Sequence, residues 1–202
     1  MGLRAMPYEE GQTPLDEDEK EGLLNPSVAT KQELNELEQR NIEEAIRWTI
    51  QRRKRFTVKE VLTEVFVREL HRRMLGRTWA WAGSFRNTNK NIGADKNQIG
   101  THLRMLLDDC RYWIEDHIYS EDEIAIRFKH RIVCIHCFAN GNGRHSRLMA
   151  DIMIEKVLEK EIFTWGAGTA FVRPGGLRSR YLSALHEADK GNYSDLIEFS
   201  RS

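Results

Sequence analysis

The chain has 202 residues, 40% of them hydrophobic and 31% charged, with Lys plus Arg and Asp plus Glu both totalling 31. That length supports one substantial core, with or without an appendage. The balanced charge provides no global basic field for nucleic acid, and charged residues break the apolar runs too often for a bilayer span.

Residues 1–29 form an acidic, proline-containing stretch with no hydrophobic period, expected to be an extended N-terminal arm. Its opening, "MGLRAMPYEEG", lacks the apolar run of a secretory signal. Met6 also stands where a myristoylation pattern needs Ser or Thr, so a cytoplasmic protein is expected. "TKQE" at 30–33 is a capping box that opens a helix to about Arg52, with Leu34, Leu37, Ile42, Ala45, Ile46 and Ile50 on its buried side. This gives an N-terminal helical segment, 30–56, packing on a core, 57–202. The basic run "QRRKR" at 51–55 lies at a helix C-terminus, where cations suit the dipole, and is read as solvated rather than as a nucleic-acid contact.

A second helix is expected from about Thr57, with Val58, Val61, Leu62, Val65, Phe66 and Leu70 at three- and four-residue steps. "GRTWAWAGSFRNTNKNIGADKNQIG", 76–100, breaks that period and suits a short hairpin or irregular flap, with Trp79 and Trp81 anchoring it to the core. Helical spacing resumes through Ile99, Leu103, Leu106, Leu107, Cys110, Trp113 and Ile114, and again from Ser120 to about His136. After a glycine turn, a further helix carries Leu148 to Leu158, followed by helices near 176–189 and from about Ser194. Without strand–helix alternation, the fold class is all-α: a helical bundle with a short β-hairpin flap over the active site. Cys110, Cys134 and Cys137 are read as buried or semi-buried free thiols. Although Cys134 and Cys137 form a C-x-x-C, His136 abuts Cys137, so those two could hardly meet on one metal.

The turn itself reads "HCFANGNGRHSR", 136–147. Glycines at 141 and 143 allow backbone amides to approach a ligand, and they sit at a helix N-terminus, where unpaired N–H groups favour anions. Arg144 and Arg147, three apart, share a face of the first turn. Cations there oppose the helix dipole, a penalty that a bound polyphosphate would reverse. A plain helix–helix turn with exposed arginines is the alternative. The segment is neither a Walker loop nor a dinucleotide fingerprint, lacking Lys-Ser/Thr and a preceding strand.

The same twelve residues resemble the Fic/Doc family signature, H-P-F-x-(D/E)-G-N-G-R-x-x-R, departing at Cys137 for Pro and at Asn140 for the acid. "HRRMLGRTWAWAGSFR" and "RYLSALHEADKGNYSDLIEF" resemble the segments leading into the family's flap and closing its bundle. "GQTPLDEDEKEGLL" and "ELNELEQRNI" are similar to the mobile mystery protein B subgroup, which travels beside a helix-turn-helix partner.

The resemblance implies a Fic-like fold and transfer of AMP from ATP to a Ser, Thr or Tyr hydroxyl of a target protein, with no direct nucleic-acid or membrane partner. It makes His136 the general base. Gly141, Asn142 and Gly143 become the anion hole, and Arg144 and Arg147 the holders of the outer phosphates. Asn91, Ile92 and Gly93 would register nucleotide and target from the flap, and Tyr181 and Asp189 fall at the adenine. Asn140 would replace the carboxylate that holds Mg²⁺, so the metal is expected to be held weakly and to arrive mainly with the nucleotide.

Many members carry an inhibitory (S/T)-x-x-x-E-(G/N) helix whose Glu pairs with the second arginine. Here Glu10-Gly11 and Glu21-Gly22 lack the hydroxyl, with Met6 and Glu17 in its place. Glu38 is expected to be a solvated helix-face residue, a degenerate inhibitory role being its alternative. Transfer of a different phosphate group, or a weakly catalytic regulatory module paired with a DNA-binding partner, are the alternative functions.

Overall fold

A computed structural model describes residues 15–28, 30–167 and 176–202. The first half of the expected arm, 1–14, its residue 29 and the stretch 168–175 of the late linker lie outside the described residues.

The described part of the arm contains a short helix, α1 (Glu17–Glu21), started by an Asp16–Glu19 capping box. Its Gly22 carbonyl accepts from the Ala80 amide at 2.8 Å, and the Leu24 amide donates to the Thr78 carbonyl at 2.9 Å, so the arm is tied to the segment after α4 (Glu64–Leu75). Helix α2 (Lys31–Trp48) opens on the expected Thr30–Glu33 box and stops four residues short of Arg52, where Thr49 caps back onto Ala45.

The helix expected from Thr57 is two helices. The first, α3 (Val58–Val61), ends at once, and Thr63 restarts the chain as N-cap of α4, its hydroxyl accepting from the Phe66 amide at 3.1 Å. The restart shifts the helical phase. Val65, expected to be buried, is 78% exposed, while Phe66, Val67 and Leu70 turn inward.

Helices α5 (Ile99–Glu115) and α6 (Glu121–Ile135) follow as the spacing predicts, the latter with three acidic residues in its first turn. Next come α7 (Asn142–Ile152), a π turn at Met153–Val157, α8 (Gly176–Asp189) and α9 (Ser194–Arg201). Helix α6 lies between α5 and α7, α4 between α2 and α7, and the α8–α9 pair closes against α6 through α9. Phe128, Phe138, Leu70, Met74, Leu106 and Met149 fill the centre with no exposure. Each such side chain stabilises the fold by about 1.5–3 kcal/mol. No helix among the described residues is long and apolar enough to cross a membrane.

The expected hairpin flap is absent as a ladder. Among the described residues the one β contact is an isolated bridge between Leu23 and Trp79, and residues 84–95 run as bends. Side chains take up the backbone groups that strand pairing would use. Asn89 Oδ1 accepts from the Lys96 amide at 2.8 Å, and Arg86 donates to the carbonyls of Thr88 and Ala94. Trp79 does anchor the segment, being 1% exposed and stacked on Trp81 at 5.0 Å.

Thr63→Ala removes the cap that restarts α4. It is expected to lower stability by ~1 kcal/mol, read as a shift in urea midpoint at constant slope.

Candidate active site

Helix α6 ends where His136 takes the left-handed conformation, φ 56° and ψ 60°, with no glycine to ease it. Such a backbone costs of order 1–3 kcal/mol and persists only when its surroundings fix it. They do so here. The buried Arg86 Nε donates to the His136 carbonyl at 2.7 Å, and the Arg86 amide donates to the Cys137 carbonyl at 3.0 Å.

The remaining guanidinium nitrogens of Arg86 reach Thr88 and Ala94, so one side chain ties the flap to the turn. Gly93 of the flap lies against the histidine. A Cβ added there would sit 2.6 Å from His136 Cβ, and its φ of 98° also requires glycine. His136 is 5% exposed. Desolvation, then the Arg86 charge, holds its pKa down to about 4. At neutral pH the imidazole is uncharged and able to accept a proton.

Beyond His136 the loop closes on itself. Asn142, expected in the anion hole, turns its side chain inward: Nδ2 donates to the Phe138 carbonyl at 2.8 Å, and Oδ1 accepts from the Phe138 amide at 3.0 Å. Its backbone amide remains for an anion. Gly141 has φ 77°, and a Cβ there would strike Leu75 Cδ1 at 2.6 Å, whereas a Cβ at Gly143 would meet nothing within 4 Å. Gly141 is thus fixed by its packing, and Gly143 opens onto the cavity.

His71, which the sequence did not single out, braces this loop. It is fully buried and stacked on Phe138 at 3.7 Å. Its Nδ1 accepts from the Gly83 amide and its Nε2 donates to the Asn140 carbonyl, both at 2.9 Å. Burial, then the neighbouring His145, keeps it uncharged.

The turn, the flap and α8 border one cavity of about 950 Å³. His136, Asn140, Gly141, Asn142, Gly143, Arg144 and Arg147 line it, as do Ile92, Gly93, Tyr181 and Asp189. Asn91 is exposed and is not among the lining residues. Arg147 stands 5.8 Å from the Tyr181 ring centre.

Against the same tyrosine ring lies Lys129, which helical spacing alone did not mark. Its Nζ is 4.6 Å from the ring centre with no hydrogen-bond partner in the structure, and burial, then Arg147, brings its pKa down to about 7. Burial likewise pushes Asp151 up to about 7, while its Oδ1 accepts from Trp165 Nε1 at 2.9 Å.

Glu38 overturns the expectation of a solvated glutamate. It is 5% exposed, its Oε1 accepts from Trp79 Nε1 at 2.7 Å, and its Oε2 pairs with Arg144 Nη1 at 2.6 Å. The partner is the first arginine of the motif, not the second. One of the motif's two arginines is therefore already neutralised by α2.

The donor set does not suit a protein-built Mg²⁺ site. Asn140 Oδ1 accepts from the Gly141 amide at 2.5 Å. Among the described residues, the acidic side chains lining the cavity are Glu38, held by Arg144 and Trp79, and Asp189, held by His130 at 2.9 Å. No carboxylate is left beside Asn140, and Mg²⁺ prefers carboxylates together with phosphates.

A helical core wrapped around a glycine-rich turn defines the class. Residues 61–154 match the family model described as Fic/DOC family. The Protein adenylyltransferase Fic of Drosophila grimshawi is 26% identical over 147 residues, 71% of this chain and 27% of the relative. The chain thus spans about a quarter of the length of the curated relatives it matches. Fic-1 (residues 134–508) of Caenorhabditis elegans superposes with a TM-score of 0.64 at 19% identity, over 90% of this chain and 51% of that one. BepC of Bartonella tribocorum, solved with bound AMPPNP, gives 0.62 at 16% over 86% and 87%. At these identities the structures establish the shared fold.

Glu38→Gln keeps an acceptor for Trp79 and frees Arg144. Calorimetry with inorganic pyrophosphate is expected to show binding tightened by up to about tenfold, or ~1.4 kcal/mol. An unchanged affinity would remove Glu38 as a competitor for that site.

Proposed function

We propose that the chain is a protein adenylyltransferase, moving AMP from ATP to a Ser, Thr or Tyr hydroxyl of a target protein. One observation carries the reading: an uncharged His136, the glycine turn and both arginines border a single cavity. The relatives' names, Protein adenylyltransferase Fic, support the same reaction.

In this mechanism the His136 imidazole takes the proton of the target hydroxyl as its oxygen attacks the α-phosphorus. A bond forms from that oxygen to phosphorus, the bond to the β-phosphate oxygen breaks, and pyrophosphate leaves. The backbone amides of Asn142 and Gly143, joined by that of Gly141 once it leaves Asn140 Oδ1, bind phosphate oxygens, and Arg144 and Arg147 offset the charge on the departing pyrophosphate. Tyr181 and Asp189 border the adenine, and Asn91, Ile92 and Gly93 register the target segment.

Asn140 would offer Mg²⁺ at most a neutral oxygen, so such an ion would be held mainly by the nucleotide's own phosphates, whose charge it would screen. The likeness to the mobile mystery protein B subgroup adds a helix-turn-helix regulatory partner and a cytoplasmic setting to the proposal. A weakly catalytic regulatory role is the second reading. It is favoured by Arg144 being engaged by Glu38 and by the missing carboxylate at 140.

Incubation with α-labelled and γ-labelled ATP in native lysate tests the reaction. Protein is expected to retain α-label only, and His136→Ala to lower it by about 10²–10⁴-fold. Retained γ-label would point to phosphorylation, and labelling equal in wild type and variant would refute the base.

The pH profile is a separate test. A base is active when deprotonated, and with its pKa near 4 it is deprotonated throughout the neutral range. The kcat/KM is therefore expected to be flat from about pH 6 to 8 and to fall only toward pH 4. A drop centred near 6.5 would contradict it.

A further inference from the structure

The wall of the cavity holds a second group of chemically capable side chains, apart from the phosphate turn. His130 and Cys134 stand one turn apart on α6, and Asp189 ends α8. His130 Nε2 lies 2.9 Å from Asp189 Oδ1 and 3.6 Å from Cys134 Sγ, and Sγ lies 3.9 Å from that same Oδ1.

A thiol nucleophile activated by histidine and oriented by an acid would use both ring nitrogens, one for the thiol and one for the carboxylate. Here thiol and carboxylate converge on the same nitrogen. Three Lewis bases of different softness surround one point.

We propose that His130, Cys134 and Asp189 form a binding site for a single divalent cation of the Zn²⁺ type, with the fourth coordination position open to the cavity. Thiolate and imidazole donors favour such a borderline ion, whereas Mg²⁺ and Ca²⁺ take oxygen alone. Tetrahedral zinc with these ligands separates the donor atoms by about 3.3–3.6 Å, so Oδ1 need move only a few tenths of an ångström. Cys134 and Asp189 are both exposed, which leaves room for that adjustment.

The other ring nitrogen of His130 already has an outer partner. The Tyr193 hydroxyl stands 3.4 Å from Nδ1, and the Tyr193 ring is itself stacked by the Arg127 guanidinium at 4.3 Å. A hydroxyl donates or accepts as required, so it can follow the imidazole into the tautomer that frees Nε2 for metal. Three protein ligands and one open position are the pattern of zinc sites that exchange a ligand, unlike closed structural sites. The proposal does not depend on nucleotide transfer.

Titration of the full chain with Co²⁺, under reducing and oxygen-free conditions, tests it spectroscopically. Wild-type protein is expected to develop a thiolate-to-cobalt charge-transfer band with intense visible bands of a tetrahedral ion, bleached by added Zn²⁺. Cys134→Ser should abolish the charge-transfer band, and Asp189→Asn should weaken Co²⁺ binding at least about tenfold. Absence of the band at saturating Co²⁺ in wild type overturns the site, and that result stands even if a variant fails to fold. A band that survives in Cys134→Ser with unchanged circular dichroism also overturns it, since the ion would then sit on another thiol.

Discussion

The buried guanidinium of Arg86 is the constraint on which the site is assembled. It meets three backbone carbonyls, those of His136, Thr88 and Ala94, and no carboxylate among the described residues. A cation taken from water is costly unless its donors are satisfied, and carbonyl dipoles satisfy these in a geometry that only the folded flap provides. Flap, helix end and left-handed histidine therefore form together. Desolvation, and after it this charge, keeps His136 uncharged, so a structural brace also contributes to the protonation of the proposed base.

Around that brace, the site mixes what a phosphate needs with features that restrain its use. The amide-lined turn and Arg147 face the cavity, but Arg144 is engaged by Glu38, and the side chain of Asn140 is occupied within its own loop. Lys129 adds a cationic group of low basicity against Tyr181, in a region already containing Arg147. An anion entering here gains electrostatically from several groups at once, and it must displace a buried carboxylate to gain the most.

Much of the architecture was legible because its signals are local. The Thr30–Glu33 box, the Ser120 cap and the three- and four-residue apolar steps depend on neighbours in sequence, and α2, α5, α6, α8 and α9 lie close to where those signals put them. The motif was legible because glycine at positive φ and arginines three apart leave a pattern. Long-range partnerships left none. His71 joins Gly83 to Asn140, Arg86 joins the flap to His136, and Glu38 crosses more than a hundred residues to reach Arg144. Thr63 misled for the opposite reason: a cap inside an unbroken apolar rhythm reset the phase and turned Val65 outward. The flap misled because side chains of Arg86 and Asn89 replaced the ladder that alternation suggests.

Glu38 holds Trp79 with one oxygen and Arg144 with the other, which places it at a thermodynamic junction. Whatever draws Arg144 toward a bound anion removes a tether from α2, and whatever steadies α2 on the bundle makes that arginine harder to recruit. Because linkage is reciprocal, both effects are one coupling free energy, of the same size and sign. Occupancy of the proposed phosphate turn is thereby readable from outside, as the ease with which the N-terminal helix lifts from the bundle.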